Sequence, residues 1–148
     1  MKGRVMKRPR LEKLIGIALM LSVLTVFARV AGYDFITFDD GAYITNNAHV
    51  KDGPTLENIR WAFTSMEVSN WHPLTWISHM VDCHLFGLNP AGHHLINLFF
   101  HVANTLLLFL VLREATGRLW ESAIIAGLFG LHLSMWNPLP GFRKERMS

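Results

Sequence analysis

The stretch HHLINLFFHVANTLLLFLVL, residues 93–112, decides the fold class. It contains no Asp, Glu, Lys or Arg over its full length. A helix rises about 1.5 Å per residue, so a segment of this length covers the roughly 30 Å hydrocarbon core of a bilayer. We therefore expect a membrane-spanning helix over residues 91–112 and an all-α membrane protein.

One face of this helix is polar. Its side chains recur at intervals of three, four and three residues, and they are His94, Asn97, His101 and Asn104. Polar side chains are costly in lipid and usually face other protein, so we expect the helix to pack against other transmembrane helices. The polar face either forms hydrogen bonds with those helices, which we favour, or lines a binding site.

Two further apolar segments predict two more spans. Residues 14–33 follow a basic N-terminus, residues 1–13, and end near Arg29, whose long side chain can reach the headgroups. Residues 119–136 carry a row of small residues that lets helix backbones approach closely. The row is Ser122, Ala126 and Gly130. The first segment can also be read as a cleaved signal peptide. We favour an uncleaved anchor, because Arg29 interrupts its only Ala-rich stretch.

The distribution of charge predicts the topology. The basic residues 1–13 and a tight hairpin of residues 113–118 belong on the cytoplasmic side by the positive-inside rule. Residues 34–90, whose charges are mostly acidic, then form an external loop. The expected location is the cytoplasmic (inner) membrane, with several spans and a cytoplasmic N-terminus.

Two short amphipathic helices are expected in the external loop. The first begins at Thr55, a favourable N-cap residue, and its apolar face is Leu56, Ile59 and Phe63. The second begins near His72 and Pro73 and is ended by Gly87 and Pro90. Its apolar face is Leu74, Ile77, Val81, Leu85 and Leu88. The loop also holds Trp61, Trp71 and Trp76, a residue type enriched at membrane interfaces. We expect both helices to lie on the bilayer surface.

Composition narrows the classes of protein. Hydrophobic residues make up 51% and charged residues 17%, which excludes a disordered chain. The net charge is +3, but the basic residues cluster at the two ends and beside apolar runs, so we expect no nucleic-acid partner. Cys83 is the only cysteine, which excludes an intrachain disulfide and a cysteine-based zinc site. The expected partners are the lipid bilayer and other transmembrane helices.

The histidines allow one alternative. A metal site can be drawn from His72, His79, His84 and Asp82, since His79 and Asp82 are one helical turn apart. The set lacks a compact ligand motif such as HExxH. We therefore favour histidines that are bonded to the backbone or to lipid headgroups, and we expect no metal site.

Several segments together resemble a known family. They are FDDGAYITNN (38–47), IRWAFT (59–64), NWHPLTWISHMVDCHLFGLNPAGHHLINLFFHVANTLLLF (70–109) and the TG-x-x-W-x-SA pattern from Thr116. They resemble the N-terminal part of bacterial GT-C-type membrane glycosyltransferases, which are similar to protein O-mannosyltransferases and often carry C-terminal tetratricopeptide repeats. The resemblance covers about residues 35–132.

The resemblance implies transfer of a sugar from a polyprenyl-phosphate donor to an acceptor hydroxyl. In this family an acidic pair in the first external loop lies near the lipid-linked sugar, and Asp39 and Asp40 take that place here. A carboxylate there can act as a general base, or can help to hold a divalent cation on a phosphate. Which of the two is the base stays open, as does a simple solvated turn. The substrate-binding residues that the resemblance suggests are Asn70, Trp71, His72, His94 and His101.

After His132 the sequence departs from the family. With suitable synonymous codons, a shifted reading frame of this region encodes HVESVAWVSERKDV, which is close to the family's continuation. We therefore expect a one-base deletion, an out-of-frame tail at residues 137–148 and an N-terminal fragment that is inactive alone. Two other hypotheses remain: a small non-enzymatic multi-pass interaction subunit, and a secreted helical domain after signal cleavage.

Overall fold

The computed structural model describes residues 9–35 and 40–132. Over these residues the chain is helical, with short connections and no strand. Its α-helices are α1 (Pro9–Phe27), α2 (Ala48–Lys51), α3 (Leu56–Thr64), α4 (Pro73–Phe86), α5 (Pro90–Thr116) and α6 (Leu119–Gly130). Shorter helical turns lie at Ala28–Gly32, Gly41–Thr45 and Glu67–Ser69. The predicted all-α class is confirmed.

Two helical stretches are long and apolar enough to cross a membrane. They are Pro9–Gly32, with 24 residues, and Pro90–Thr116, with 27 residues. Helix α6 has 12 residues and rises only about 18 Å. The predicted third span, residues 119–136, continues past His132 into residues outside the described part. Two of the three expected spans therefore reach full length within the described residues.

The turn between α5 and α6 is tighter than the predicted hairpin of residues 113–118. Helix α5 continues to Thr116, because Arg, Glu and Ala are good helix formers. It ends at Gly117, which has a φ of 72° and donates its N–H to the Arg113 carbonyl at 3.0 Å. A glycine in the left-handed region is a common helix C-cap. Helix α5 therefore ends at Gly117, and not at Arg113, where the predicted hairpin begins.

The described residues divide into two compact units. The span unit consists of residues 9–26 and 101–132. The loop unit consists of residues 27–35 and 40–100, and it contains most of the predicted external loop together with the first turns of α5. Each unit has its own packing.

The core of the loop unit is built around helix α4. Its buried residues are Ile44, Val50, Ala62, Trp76, Met80 and Cys83. The local signals at the helix ends are confirmed. Thr55 caps α3, since its Oγ1 accepts the Asn58 N–H at 3.2 Å, and Pro73 occupies the first turn of α4. Gly87 ends α4 with a φ of 60°.

The predicted apolar faces of α3 and α4 are not the faces that pack inside the loop unit. On α4 the buried side is Trp76, Met80 and Cys83. The predicted face is mostly exposed, and it includes Leu74 and Leu85. Helix α4 is apolar on two sides, so periodicity alone does not tell which side packs against protein. On α3 the predicted residues Leu56 and Phe63 are exposed as well. These exposed apolar sides fit the expectation that both helices lie on a bilayer, which stays a prediction.

In the span unit, small residues on α6 allow close packing. The buried residues of α6 are Ser122, Ala126 and Gly130, so the predicted small-residue row is confirmed. A Cβ on Gly130 would lie 2.8 Å from a methyl of Thr105 on α5 and 2.9 Å from a methyl of Val23 on α1. The Nε2 of His101 lies 3.0 Å from the Gly130 carbonyl oxygen. The three helices therefore meet at Gly130.

An ion pair joins the other end of the span unit. Arg113 Nη2 lies 3.0 Å from Glu12 Oε1, and both side chains are largely withdrawn from solvent. Arg113 is near the end of α5 and Glu12 near the start of α1, so these two helices run antiparallel. This arrangement agrees with the expectation that the N-terminal segment and the α5–α6 turn share one side of the membrane. That this side is the cytoplasm stays a prediction.

We expect Gly130→Ala to destabilise the span unit by about 1–3 kcal/mol, because the added methyl overlaps side chains on two other helices. The matched control is Gly127→Ala on the same helix, where a Cβ would make an ordinary contact of 3.5 Å with Leu19. Thermal unfolding of the detergent-solubilised protein measures the difference. Equal melting temperatures for the two variants would contradict the packing described here.

Candidate functional site

The acidic turn is residues 39–41, and its described part lies beside the histidines of α4 in the fold. Asp39 lies outside the described residues, so Asp40 is the member of the predicted pair with a described position. Asp40 is half-buried and is the N-cap residue of the helical turn Gly41–Thr45. Its carboxylate lies close enough to His79 to influence the charge of that imidazole. The acidic turn therefore belongs to a cluster of titratable side chains.

Aromatic rings form one wall of this cluster. The ring of Tyr43 stacks on His72 at 5.5 Å between centroids and on Trp76 at 5.1 Å. It meets His79 edge to face at 6.2 Å. Tyr43 belongs to the turn that follows Asp40, whereas Trp76 and His79 belong to α4 and His72 directly precedes it. This stacking holds the acidic turn against α4.

Three potential ligand side chains converge beside this wall. They are His79 and Asp82 on α4 and His93 on α5, and each offers one ligand atom within 4.8 Å of the others. Asp82 is 3% exposed and His93 is 2% exposed. The Nδ1 of His93 lies 3.8 Å from Asp82 Oδ2, and its Nε2 lies 3.0 Å from the Gly87 carbonyl oxygen. The turn between α4 and α5 therefore brings a buried carboxylate and a buried imidazole together.

The turn that makes this approach possible depends on Gly92. A Cβ at this position would overlap the ring of Phe86 at the end of α4. Without a side chain at Gly92, the first turn of α5 packs closely on α4 and aligns His93 with Asp82. The ring of Phe35 lies against His93, edge to face, at 5.3 Å, which further fixes the imidazole.

Burial dominates the electrostatics of the cluster. Burial lowers the pKa of His79, and the nearby His93 and His72 lower it further. The Asp40 carboxylate raises the same pKa and so opposes them. Burial also raises the pKa of Asp82, and His93 partly offsets that effect. The loop unit thus favours a neutral His79 and resists a bare charge on Asp82, unless a cation lies beside it.

The structure places the predicted substrate-binding residues in different surroundings. Trp71 and His72 border an open groove of about 440 Å³ in front of α4. Asn70 is exposed and bonds locally to the Val68 carbonyl. His94 is buried in the loop unit beside Phe35. His101 belongs to the span unit, where it contacts Gly130.

The alternative metal site that could be drawn from the sequence included His84 and missed His93. His84 is exposed and lies beside Gly53, away from the cluster, because it is two positions past Asp82 and so on another side of α4. His93 is eleven residues past Asp82 in the sequence. The signal that points to it is the Gly87 stop followed by the Pro90 start, a short turn that brings the first turn of α5 against the end of α4.

The comparisons with known proteins give one similarity. The chain is 27% identical over 129 residues to "Protein O-mannosyl-transferase Tmtc1" of Drosophila melanogaster. The match covers 82% of this chain and 15% of that protein, so the chain spans a small part of its relative's length. No family model matches the sequence, and no solved structure matches it. With the two long apolar helices, the similarity supports a glycosyltransferase-like membrane protein.

The reactivity of Cys83, the only cysteine, reports on whether the loop unit is folded. Burial raises the pKa of the Cys83 thiol, and the adjacent Asp82 raises it further, against an opposing influence of Lys51. The thiolate is the reactive form, so we expect slow alkylation of the folded protein at pH 7 and faster alkylation as the pH rises.

Trp76→Ala tests whether this protection comes from the core. Removing a fully buried tryptophan costs about 3–5 kcal/mol, so we expect Cys83 to be alkylated at least tenfold faster. Trp71→Ala is the control, since Trp71 is 61% exposed. Alkylation is followed by intact-protein mass spectrometry. A Trp76→Ala variant that reacts no faster than the control would show that Cys83 is not held in this core.

Proposed function

We propose that the chain forms part of a membrane glycosyltransferase that transfers a sugar from a polyprenyl-phosphate donor to an acceptor hydroxyl. The observation that carries the proposal is the similarity to a protein named as an O-mannosyltransferase over 82% of this chain. The proposed place of reaction is the external face of the cytoplasmic membrane, where the acidic turn between the two candidate spans would meet a lipid-linked phosphate.

The surroundings of Asp40 support a role in chemistry. A solvated turn would leave its carboxylate free of other groups, whereas Asp40 is half-buried and interacts with the His79 imidazole. We propose that Asp39 and Asp40 supply the general base for the acceptor hydroxyl, or the carboxylate oxygens for a cation on the donor phosphate.

The groove beside α4 supports a role in donor binding. Its lining combines apolar and aromatic side chains with one imidazole: Phe63, Trp71, His72, Pro73, Leu74 and Thr75. Trp71 is largely exposed, and its indole N–H donates to the Phe63 carbonyl at 2.9 Å, which fixes the ring. An exposed ring of this kind offers a flat surface for a sugar, and the apolar lining suits an isoprenoid chain.

A second candidate is a non-enzymatic interaction subunit. The observation that favours it is the exposure of Asn97 and Asn104 on the candidate span α5. Amide side chains exposed on such a helix are costly in lipid and form hydrogen bonds with neighbouring helices. Helix α5 is compatible with both the glycosyltransferase and the interaction subunit. The two proposals differ in whether the chain binds a lipid-linked sugar donor.

Donor binding by the full chain in lipid nanodiscs tests the proposal. The probe is undecaprenyl-phosphate mannose carrying a photoreactive group, and the readout is covalent labelling of the protein. We expect saturable labelling that Trp71→Ala reduces at least fivefold. Trp120→Ala is the matched control, because Trp120 is also 61% exposed but lies on α6.

Two results would overturn parts of this proposal. Absence of saturable labelling in the wild-type chain would favour the interaction subunit. We also expect the chain alone to release no glycosylated product, since the two full-length spans among the described residues give too few walls for an enclosed catalytic cavity. Product formed by the wild-type chain and abolished by Asp40→Asn would disprove that expected inactivity and would support the assigned carboxylate.

A further inference from the structure

We propose that His79, Asp82 and His93 bind a divalent transition-metal ion, with Zn²⁺ as the ion that fits best. The three side chains bring two imidazole nitrogens and one carboxylate oxygen within 4.8 Å of one another. Zinc takes nitrogen ligands at about 2.0–2.1 Å and carboxylate oxygens at about 2.0–2.2 Å. Ligands at those distances in a tetrahedron are roughly 3.4 Å apart. The 3.8 Å between His93 Nδ1 and Asp82 Oδ2 therefore needs a closure of about 0.4 Å, and a pair at the 4.8 Å limit needs about 1.4 Å.

The hydrogen bond of His93 prepares it as a ligand. Its Nε2 lies 3.0 Å from the Gly87 carbonyl oxygen. A carbonyl oxygen can only accept a hydrogen bond, so Nε2 carries the hydrogen and donates it. In the neutral ring, Nδ1 then carries a lone pair, and it points toward Asp82. Metal-binding histidines commonly donate their other ring N–H to a backbone carbonyl in this way, which fixes the tautomer and the ring orientation.

Two buried nitrogen atoms of the three proposed ligands have no hydrogen-bond partner. They are Nδ1 of His93, in a residue that is 2% exposed, and Nδ1 of His79. A buried polar atom without a partner costs about 1–3 kcal/mol, and a lone pair that faces a carboxylate is repelled by it. A cation between His79, Asp82 and His93 would satisfy both nitrogens and neutralise the buried carboxylate.

The ligand types select among metals. Two imidazoles and one carboxylate suit zinc and its first-row neighbours, whereas magnesium and calcium prefer oxygen ligands. Three protein ligands leave a fourth position open for water or for an anionic oxygen. If the proposed function holds, a donor phosphate oxygen is a candidate for that position, because Asp40 places the acidic turn beside His79. Metal binding itself does not depend on the proposed function.

Metal titration of the full chain in detergent tests the site. The protein is purified with a tag that contains no histidine, treated with a chelator and titrated at pH 7.5, where neutral imidazoles can bind metal. Cobalt is the spectroscopic probe, and zinc competition gives the affinity. We expect one equivalent of Co²⁺ with the visible absorption of a four-coordinate site, displacement by one equivalent of Zn²⁺, and no displacement by millimolar Mg²⁺.

Variants locate the ion. His93→Ala and Asp82→Asn should each weaken Zn²⁺ binding at least tenfold. His84→Ala is the matched control, since His84 is an exposed histidine on the same helix, and it should bind like the wild type. Circular dichroism and thermal unfolding establish that each variant is folded.

Two outcomes would overturn the proposal. If the wild-type chain takes up no Co²⁺ or Zn²⁺, His79, Asp82 and His93 do not form a metal site. If His84→Ala weakens binding as much as folded His93→Ala does, the ion is held elsewhere. Metal binding without labelling by the lipid-linked sugar would leave this site standing and remove the proposed function, so the two failures can be told apart.

Discussion

The loop unit depends on the burial of one side chain, Trp76. It is fully buried, and the rings of Tyr43, Trp61 and His72 lie 5.1, 5.2 and 4.9 Å from it. These rings come from the turn after Asp40, from α3 and from the residue before α4. Helices as short as α2 and α3 are not stable alone in water, so they form here because they pack around this indole. The geometry near Asp40 follows from the same contact, since Tyr43 stacks on Trp76.

Burial of Trp76 also determines what α4 leaves outside. With Trp76, Met80 and Cys83 inward, the leucines at positions 74 and 85 are exposed. A helix with apolar sides both inward and outward needs a second apolar environment, which a bilayer surface supplies. The same orientation turns Asp82 toward the first turn of α5. The orientation of α4 about its own axis thus explains both the burial of Asp82 and the exposed leucines on which the predicted position at the membrane rests.

How far the sequence predicts the structure depends on the range of each interaction. Thr55, Pro73 and Gly87 were assigned correctly, because capping and helix termination are decided within a few residues. Asn47 acts over the same short range, since its side chain caps α2 by accepting the Val50 N–H. His93 was missed as a partner of Asp82 because their approach depends on how α5 folds back after Gly87. Of the candidate site, the sequence indicated Trp71, His72 and Asp40, and its alternative metal site already paired His79 with Asp82, but it did not indicate His93.

The polar face of α5 has two sides with different surroundings, which the spacing of its residues alone does not reveal. At about 100° per residue, the two histidines lie roughly 20° apart around the helix, and the two asparagines lie roughly 60° to one side. The histidine side is occupied by protein: His94 contacts Phe35 in the loop unit, and His101 contacts Gly130 in the span unit. The asparagine side, Asn97 and Asn104, is exposed. Since a bilayer offers no hydrogen-bond partner to an amide, this side requires helices beyond those packed here if α5 crosses the membrane. The burial pattern therefore separates the part of the polar face that stabilises the described chain from the part that is available to other helices.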